Sequence, residues 1–318
     1  MLQTLQQQMG DGSLLFLTRL TDWGGPIGWL FALQIASYLA GLRTGLLLSF
    51  GAVLSLLANT WLKWLFVAPR PYFLDPSLTV HRPTGGFGMP SGHAQGAATV
   101  WLGIAAVAAG RRWLWGLLVL LALAVALSRW LLGVHSFAQV VVGFAIGAAS
   151  LVALLWARPW LSRQRARLGV RALLVLAAIL VAGSGAVTYL ILELRADFVF
   201  PPQWQANAVA RGADAADLLP ARLLSPASVY ALVAGLLGLL LVTGLDRVRP
   251  AAVTTSAGRL RALACGVALT AGFWSLGGAI GSRTPLALAM PLFYPLVCLY
   301  LPIWLASRWT ARKEVPAC

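Results

Sequence analysis

The chain has 318 residues, 59% of them hydrophobic and only 10% charged, with a mean hydropathy of +0.81. A soluble domain carries about 25% charged residues, so this composition excludes cytosolic enzymes, secreted disulfide scaffolds and disordered regulators, and predicts an integral membrane protein. The net charge of +15 would ordinarily point to nucleic acid, but in a membrane chain the cations must first be assigned to a side of the bilayer.

Taken in chain order, Leu2–Trp23 mixes Leu and Phe with Gln, Asp and Arg19, and predicts an amphipathic helix on the membrane surface. Its first cation is Arg19, so no signal peptide is expected. A transmembrane helix needs roughly 20 apolar residues. Nine stretches qualify, near 25–42, 45–63, 93–110, 113–131, 136–156, 172–192, 226–245, 262–281 and 286–306. The expected fold is an all-α polytopic helix bundle. Its expected parts are an interfacial segment over 1–22, a five-span core over 23–156 and a four-span bundle of unassigned role over 157–318. The loop Arg195–Pro226 is expected to form a short cap, and Pro291, Pro295 and Pro302 predict a kinked last span. No internal repeat is visible. Cys265, Cys298 and Cys318 imply neither a disulfide framework nor a metal site.

Basic residues set the orientation. Loops after odd-numbered spans hold Arg43, Arg111, Arg112, Arg158, Arg163, Arg165, Arg167, Arg171, Arg247, Arg249, Arg259, Arg261, Arg308, Arg312 and Lys313, against only Asp246 and Glu314. The other side holds the remaining nine cations and seven acids. The amino terminus is therefore expected outside and the carboxyl terminus in the cytoplasm. Most of the positive charge is an orientation signal, and no nucleic-acid partner is expected. The Arg-over-Lys bias, with abundant Ala, suggests a GC-rich bacterial genome and hence an inner membrane with the site facing the periplasm.

All three histidines, His81, His93 and His135, fall on the outside, as do Lys63, Arg70, Arg82 and Arg129, against the positive-inside trend. Ionisable groups at membrane helices mark function more often than chance. Lys63 and Arg70–Pro71 close the second span, combining a point charge and a planar fork suited to a phosphoryl group. Pro90-Ser91-Gly92-His93 opens the third span. Ser91 is expected to cap that helix, Gly92 lets backbone approach a ligand, and free N–H groups at a helix start attract anions. Ser128-Arg129, then His135, then Gln139 link the fourth and fifth spans, and Gln139 stands one helical turn past His135, placed to orient its ring.

In this order and on one side of the membrane, the three clusters resemble the type 2 phosphatidic acid phosphatase superfamily, over about Asn59 to Gly143. Lys63-Trp64 through Arg70-Pro71-Tyr72, Pro90-Ser91-Gly92-His93-Ala94 with Gly96, and His135 with Gln139-Val140-Val141 are most similar to the glucose-6-phosphatase branch. The resemblance implies that His135 is a nucleophile forming a phosphohistidine and that His93 is the general acid. It implies that Lys63, Arg70, Ser91, Gly92 and Arg129 bind the phosphoryl oxygens and stabilise charge in the transition state, Arg129 counting also as catalytic. The common pattern has an aspartate where this chain has Gln139, and the two are expected to be interchangeable as ring-orienting acceptors.

Asp75 is the sole acid in the catalytic loop, so no two-metal site and no cofactor are expected. Trp64 and Tyr72 are the aromatics expected near substrate, while Gly277, Gly278 and Gly281 suit close packing, including of a homo-oligomer. The leading function is a membrane phosphatase on phosphate monoesters or pyrophosphates, with a lipid-linked substrate preferred. The alternatives are a glucose-6-phosphatase-like sugar phosphatase, a phosphotransferase to a lipid acceptor, and, weakest, a non-catalytic lipid binder or flippase.

Overall fold

Apolar stretches this long can satisfy their backbone in a membrane as helices, and among the described residues every regular element is helical. The computed structural model describes residues 2–108, 111–167, 169–218, 227–248, 255–280 and 285–313. Arg249, Gly281, Glu314 and Cys318 lie outside the described residues. The amphipathic segment divides at Gly10 into α1 (Leu2–Gln8) and α2 (Asp11–Trp23). α3 (Pro26–Leu39) and α4 (Leu42–Phe66) turn at Gly41, whose φ of +93° favours glycine. Then come the one-turn α5 (Pro71–Leu74), α6 (Gly92–Val107), α7 (Arg112–Leu131), α8 (Phe137–Arg167) and α9 (Val170–Leu194). α10 (Pro202–Ala210) and a 3₁₀ turn over Ala215–Leu218 occupy the loop expected to form a cap. α11 (Ala227–Val248), α12 (Ser256–Ile280), α13 (Pro285–Tyr294), a π turn over Pro295–Tyr300 and α14 (Leu301–Lys313) complete the order.

Each of the nine expected stretches coincides largely with helix, but among the described residues five helices are long and apolar enough to cross a membrane. These are Leu42–Leu74, Arg112–Leu131, Phe137–Leu161, Arg171–Leu194 and Met290–Ser307. α3 and α6 run 14 and 16 residues, short of the ~20 that a ~30 Å hydrocarbon core requires at 1.5 Å per residue.

The chain forms two compact units. One comprises Met1–Trp29, Ser55–Trp156 and Gly185–Ser228; the other comprises Leu30–Leu54, Ala157–Ser184 and Val229–Cys318. In the first, α6 packs along α7, and Ala94, Ala126 and Val140 form a core flanked by Trp130 and Phe144. α8 approaches α6 without side chains between them. A β-carbon on Gly143 would lie 2.5 Å from the Ser91 carbonyl oxygen, and one on Gly147 2.2 Å from that of Gln95. Small residues one turn apart permit such contact. In the second unit, Gly238 makes a similar approach to Leu292, and Arg43 pairs with buried Asp246 at 3.5 Å.

Candidate active site

The Lys63–Arg70 spacing is set by the end of α4. The Val67 N–H closes on the Lys63 carbonyl at 3.0 Å, and Val67 then turns the chain with φ +42°, a rare conformation for a β-branched residue. Arg70, delivered just beyond, is buried and uses all three guanidinium nitrogens. Nε donates to Gly86 O at 2.9 Å, Nη2 to Gly85 O at 3.0 Å, and Nη1 to Val134 O at 3.0 Å, with His135 Nε2 3.1 Å from Nη1. One side chain thus ties the 85–86 loop to the nucleophile candidate. Lys63 Nζ donates to Phe87 O. Tyr72 is fully buried, and its hydroxyl donates to Thr84 O at 2.6 Å and accepts the Thr84 N–H at 3.1 Å. Tyr72 therefore braces the loop from behind, and Trp64 is likewise buried.

The loop is covered by the expected cap. Asn207 on α10 donates to Phe73 O at 2.9 Å, and Phe198 and Phe200 meet Phe87 and Phe73 edge-on. Residues 219–226 of that loop lie outside the described residues.

Ser91 stands at the N-cap of α6, but its hydroxyl makes no capping bond, contrary to the expectation from sequence. Its N–H donates to Gln139 O at 3.0 Å, while its buried Oγ has no partner among the described residues. A buried hydroxyl left unpaired is costly, so this oxygen is held ready for something else. Gly92 abuts Asn59, whose Oδ1 would lie 3.2 Å from a β-carbon there. Behind the loop runs a polar ladder that sequence reasoning did not single out. Asn59 Nδ2 donates to Gln95 Oε1 at 2.8 Å and to Pro90 O at 3.3 Å; Gln95 Nε2 donates to Ser55 O at 2.6 Å; and Thr99 Oγ1 donates to Gln95 O at 3.0 Å. Ser55, Asn59 and Lys63 recur every four residues, as do Gln95 and Thr99, so the signal was one polar helix face within apolar runs.

His135 is reached by a turn that requires Gly133 at φ +73°, with the His135 N–H on Arg129 O at 3.2 Å. The ring is 2% exposed. Its Nδ1 lies 2.8 Å from Gly88 O and 3.2 Å from Gln139 Oε1. The Gln139 amide has one possible orientation, because Oε1 accepts the Ser136 N–H at 3.1 Å and Nε2 donates to Pro69 O at 2.8 Å. Both neighbours of Nδ1 are thus acceptors, which assigns the proton to Nδ1 and leaves the lone pair on Nε2, facing Arg70. Burial first, then the charges of Arg70, Lys63, Arg129 and His93, hold the His135 imidazole well below its ordinary pKa.

Arg129 is buried, and its Nη1 donates to Thr21 Oγ1 at 3.1 Å. His93, half-buried at the start of α6, stands 6.1 Å from Trp29, centroid to centroid. Neither Thr21 nor Trp29 belongs to a motif. His81 and Arg82 do not join the cluster through any side-chain bond to it: Arg82 pairs with Asp22, and the His81 backbone N–H bonds Leu132 O at 2.9 Å. Asp75 accepts the Ser77 N–H at 2.8 Å in an exposed turn, and hydrogen bonding from Ser77, its side chain first and then its N–H, holds the carboxyl below the ordinary value. No group of three or more His, Cys, Asp or Glu able to hold a metal ion occurs among the described residues.

The electrostatic balance is one-sided. Lys63, Arg70 and Arg129 find carbonyls, an imidazole nitrogen and one hydroxyl, but no carboxylate, among the described residues. Buried charges are ordinarily paired. Asp22, paired with Arg82, is an acid charge that acts on Arg129 from outside this set; the three cations hydrogen-bond no carboxylate among the described residues and suit an oxyanion.

Residues 44–163 match the family model of the PAP2 superfamily. The matched range is a little over a third of the chain and contains every motif residue from Lys63 to Gln139. No curated protein and no solved structure matches the chain.

Proposed function

We propose that this chain is a metal-independent membrane phosphatase that hydrolyses phosphate monoesters or pyrophosphates through a phosphohistidine on His135. The observation that carries the reading is a set of three cations that hydrogen-bond no carboxylate among the described residues, beside a histidine whose Nε2 lone pair faces Arg70. The family-model match supports a phosphoester hydrolase. The glucose-6-phosphatase likeness stays a matter of motif wording.

In this mechanism the phosphoryl dianion enters between Arg70, Lys63, Arg129 and the Ser91 hydroxyl. Arg70 Nη1 turns from His135 Nε2 to a phosphoryl oxygen while its other bonds hold it in place. Nε2 attacks phosphorus in line as the bond to the leaving oxygen breaks, and His93 protonates that oxygen. The bound dianion supplies the negative charge that favours an imidazolium at His93. Gly88 O and Gln139 Oε1 stabilise the positive charge spreading to Nδ1–H. Water then attacks phosphorus, His93 takes its proton, and the P–N bond breaks to restore the Nε2 lone pair.

The topology completing this reading has nine spans, an outside amino terminus and a site at head-group depth. A bacterial inner membrane would then present prenyl pyrophosphates and phosphatidyl phosphates to the periplasmic face. Phosphate release should be measured on such lipids and on glucose 6-phosphate, in excess chelator and with vanadate. Release from a lipid phosphate that survives chelation and is blocked by vanadate is the expected result. Loss in chelator with recovery in magnesium would contradict the mechanism, and a higher kcat/KM on glucose 6-phosphate than on every lipid would replace the substrate class.

A further inference from the structure

The two buried arginines of the cluster use their donors differently. A guanidinium grips two oxygens of one anion best along the edge shared by Nε–H and Nη2–H, whose bonds run parallel. Arg70 has spent that edge on the backbone, with Nε on Gly86 O and Nη2 on Gly85 O. Arg129 has not. Among the described residues its one side-chain hydrogen bond runs from Nη1 to Thr21 Oγ1 at 3.1 Å, and its buried Nε has no partner.

Thr21 is therefore in the one place that fixes the Arg129 plane while leaving the bidentate edge open. The residue is 1% exposed, at the end of α2, and the chain after it is locked against the site. Gly24 O accepts the indole N–H of Trp29 at 2.7 Å and of Trp101 at 2.9 Å. A β-carbon on Gly24 would lie 2.2 Å from Val125 on α7, and one on Gly25 would lie 2.9 Å from the His93 ring. The opposite face of α2 leaves Leu15, Phe16 and Trp23 exposed, as expected of an interfacial helix.

We infer that Thr21 is a positioning residue for Arg129, so that Arg129 is the bidentate phosphoryl-binding arginine and Arg70 is first the frame of the loop. The inference rests on the phosphoryl-site reading above. It assigns part of the site to the amino-terminal segment, 108 residues before the arginine it orients.

The test is vanadate affinity of the purified full-length protein, in wild type, Thr21→Val, Thr21→Ser, Arg129→Met and the Thr21→Val/Arg129→Met double variant. Valine keeps the shape and removes the acceptor. It should weaken vanadate by roughly 10-fold, the scale of one hydrogen bond to a charged group, whereas serine keeps the acceptor and should retain binding. In the Arg129→Met background the Thr21→Val change should have no further effect, because its target is gone. Equal affinity of Thr21→Val and wild type would overturn the inference alone, as would an undiminished effect of valine in the Arg129→Met background. Failure of the wild type to bind vanadate would overturn the phosphoryl-site reading and this inference together.

Discussion

In the unit that holds His135, Arg70 and Arg129 are buried against carbonyls and one hydroxyl, with no carboxylate hydrogen-bonded to either among the described residues; Asp22, paired with Arg82, acts on Arg129 only through space. In the other unit, buried Asp246 meets Arg43 at 3.5 Å, and a neutral polar cluster serves its own backbone. There Pro302 has no N–H to offer Cys298 O, its ordinary helical acceptor. Gln34 Nε2 donates to that carbonyl at 2.9 Å and to Thr270 Oγ1 at 2.8 Å, and the Tyr38 hydroxyl donates to the same carbonyl. Burial of polarity alone therefore does not mark a site in this chain. What the proposed phosphoryl site adds is cations that hydrogen-bond no carboxylate among the described residues.

Substitutions that break this contrast should rank by how much unmet charge they touch. Arg70→Met should be the most damaging, because it removes a cation and frees the 85–86 loop and Val134 at once. A fall in kcat/KM of more than about 100-fold is expected, from loss of several charge-assisted bonds, and steady-state kinetics on a lipid phosphate would measure it.

Gln139 comes next, and its bond to Pro69 bears on a carboxylate of the same length. Its Oε1 accepts from Ser136 and faces His135, while its Nε2 donates to Pro69 O at 2.8 Å. A carboxylate has no such donor and would set an oxygen against the Pro69 carbonyl. Gln139→Glu should thus lower kcat by about 10- to 100-fold, the range seen when a supporting partner of a reactive group is lost. A Glu variant with wild-type kcat would show that the bond to Pro69 carries no function.

The acid limb of the rate profile should move less. The depressed pKa of His135 means that its nucleophilic form persists below the ordinary histidine value of about 6.5. Lys63→Met removes one of the charges holding it down, so the pKa should rise and activity should fail at a higher pH than in wild type. Nitrogen-15 spectra of the His135 ring over pH would follow both the titration and the Nδ1–H tautomer. The smallest effect belongs to the neutral cluster. Tyr38→Phe should leave kcat/KM unchanged and cost about 1 kcal/mol of stability, the worth of one hydrogen bond, read from thermal unfolding.

Much of the candidate site was legible because ionisable residues stand out in apolar sequence: Lys63, Arg70, His93, Arg129 and His135 are singled out by order and spacing. Gln139 was legible by its position one turn from His135, but its bond to Pro69 was not, since that contact joins positions 70 apart. Ser91 was misjudged as a cap because a helix-start serine ordinarily is one; burial of its hydroxyl is a tertiary fact. Thr21, Gly25 and Trp29 gave no local signal, since their contacts with the site lie on α6 and α7. Of the fold, helix positions followed from hydropathy, whereas the break at Gly10 and the shortness of α3 and α6 did not. In the last span, where three prolines predict a kink, the helix passes through a π turn over Pro295–Tyr300.

The central claim is that the unmet charge surrounds a nucleophilic Nε2 on His135. Trapping the phosphoenzyme tests it most directly, by mixing protein with a radiolabelled lipid phosphate, quenching in alkali, where phosphohistidine survives, and mapping the labelled peptide. Label on His135 Nε2, absent from His135→Ala and formed faster than steady-state turnover, is the predicted result. Label on another residue, or turnover in His135→Ala near the wild-type rate, would contradict it.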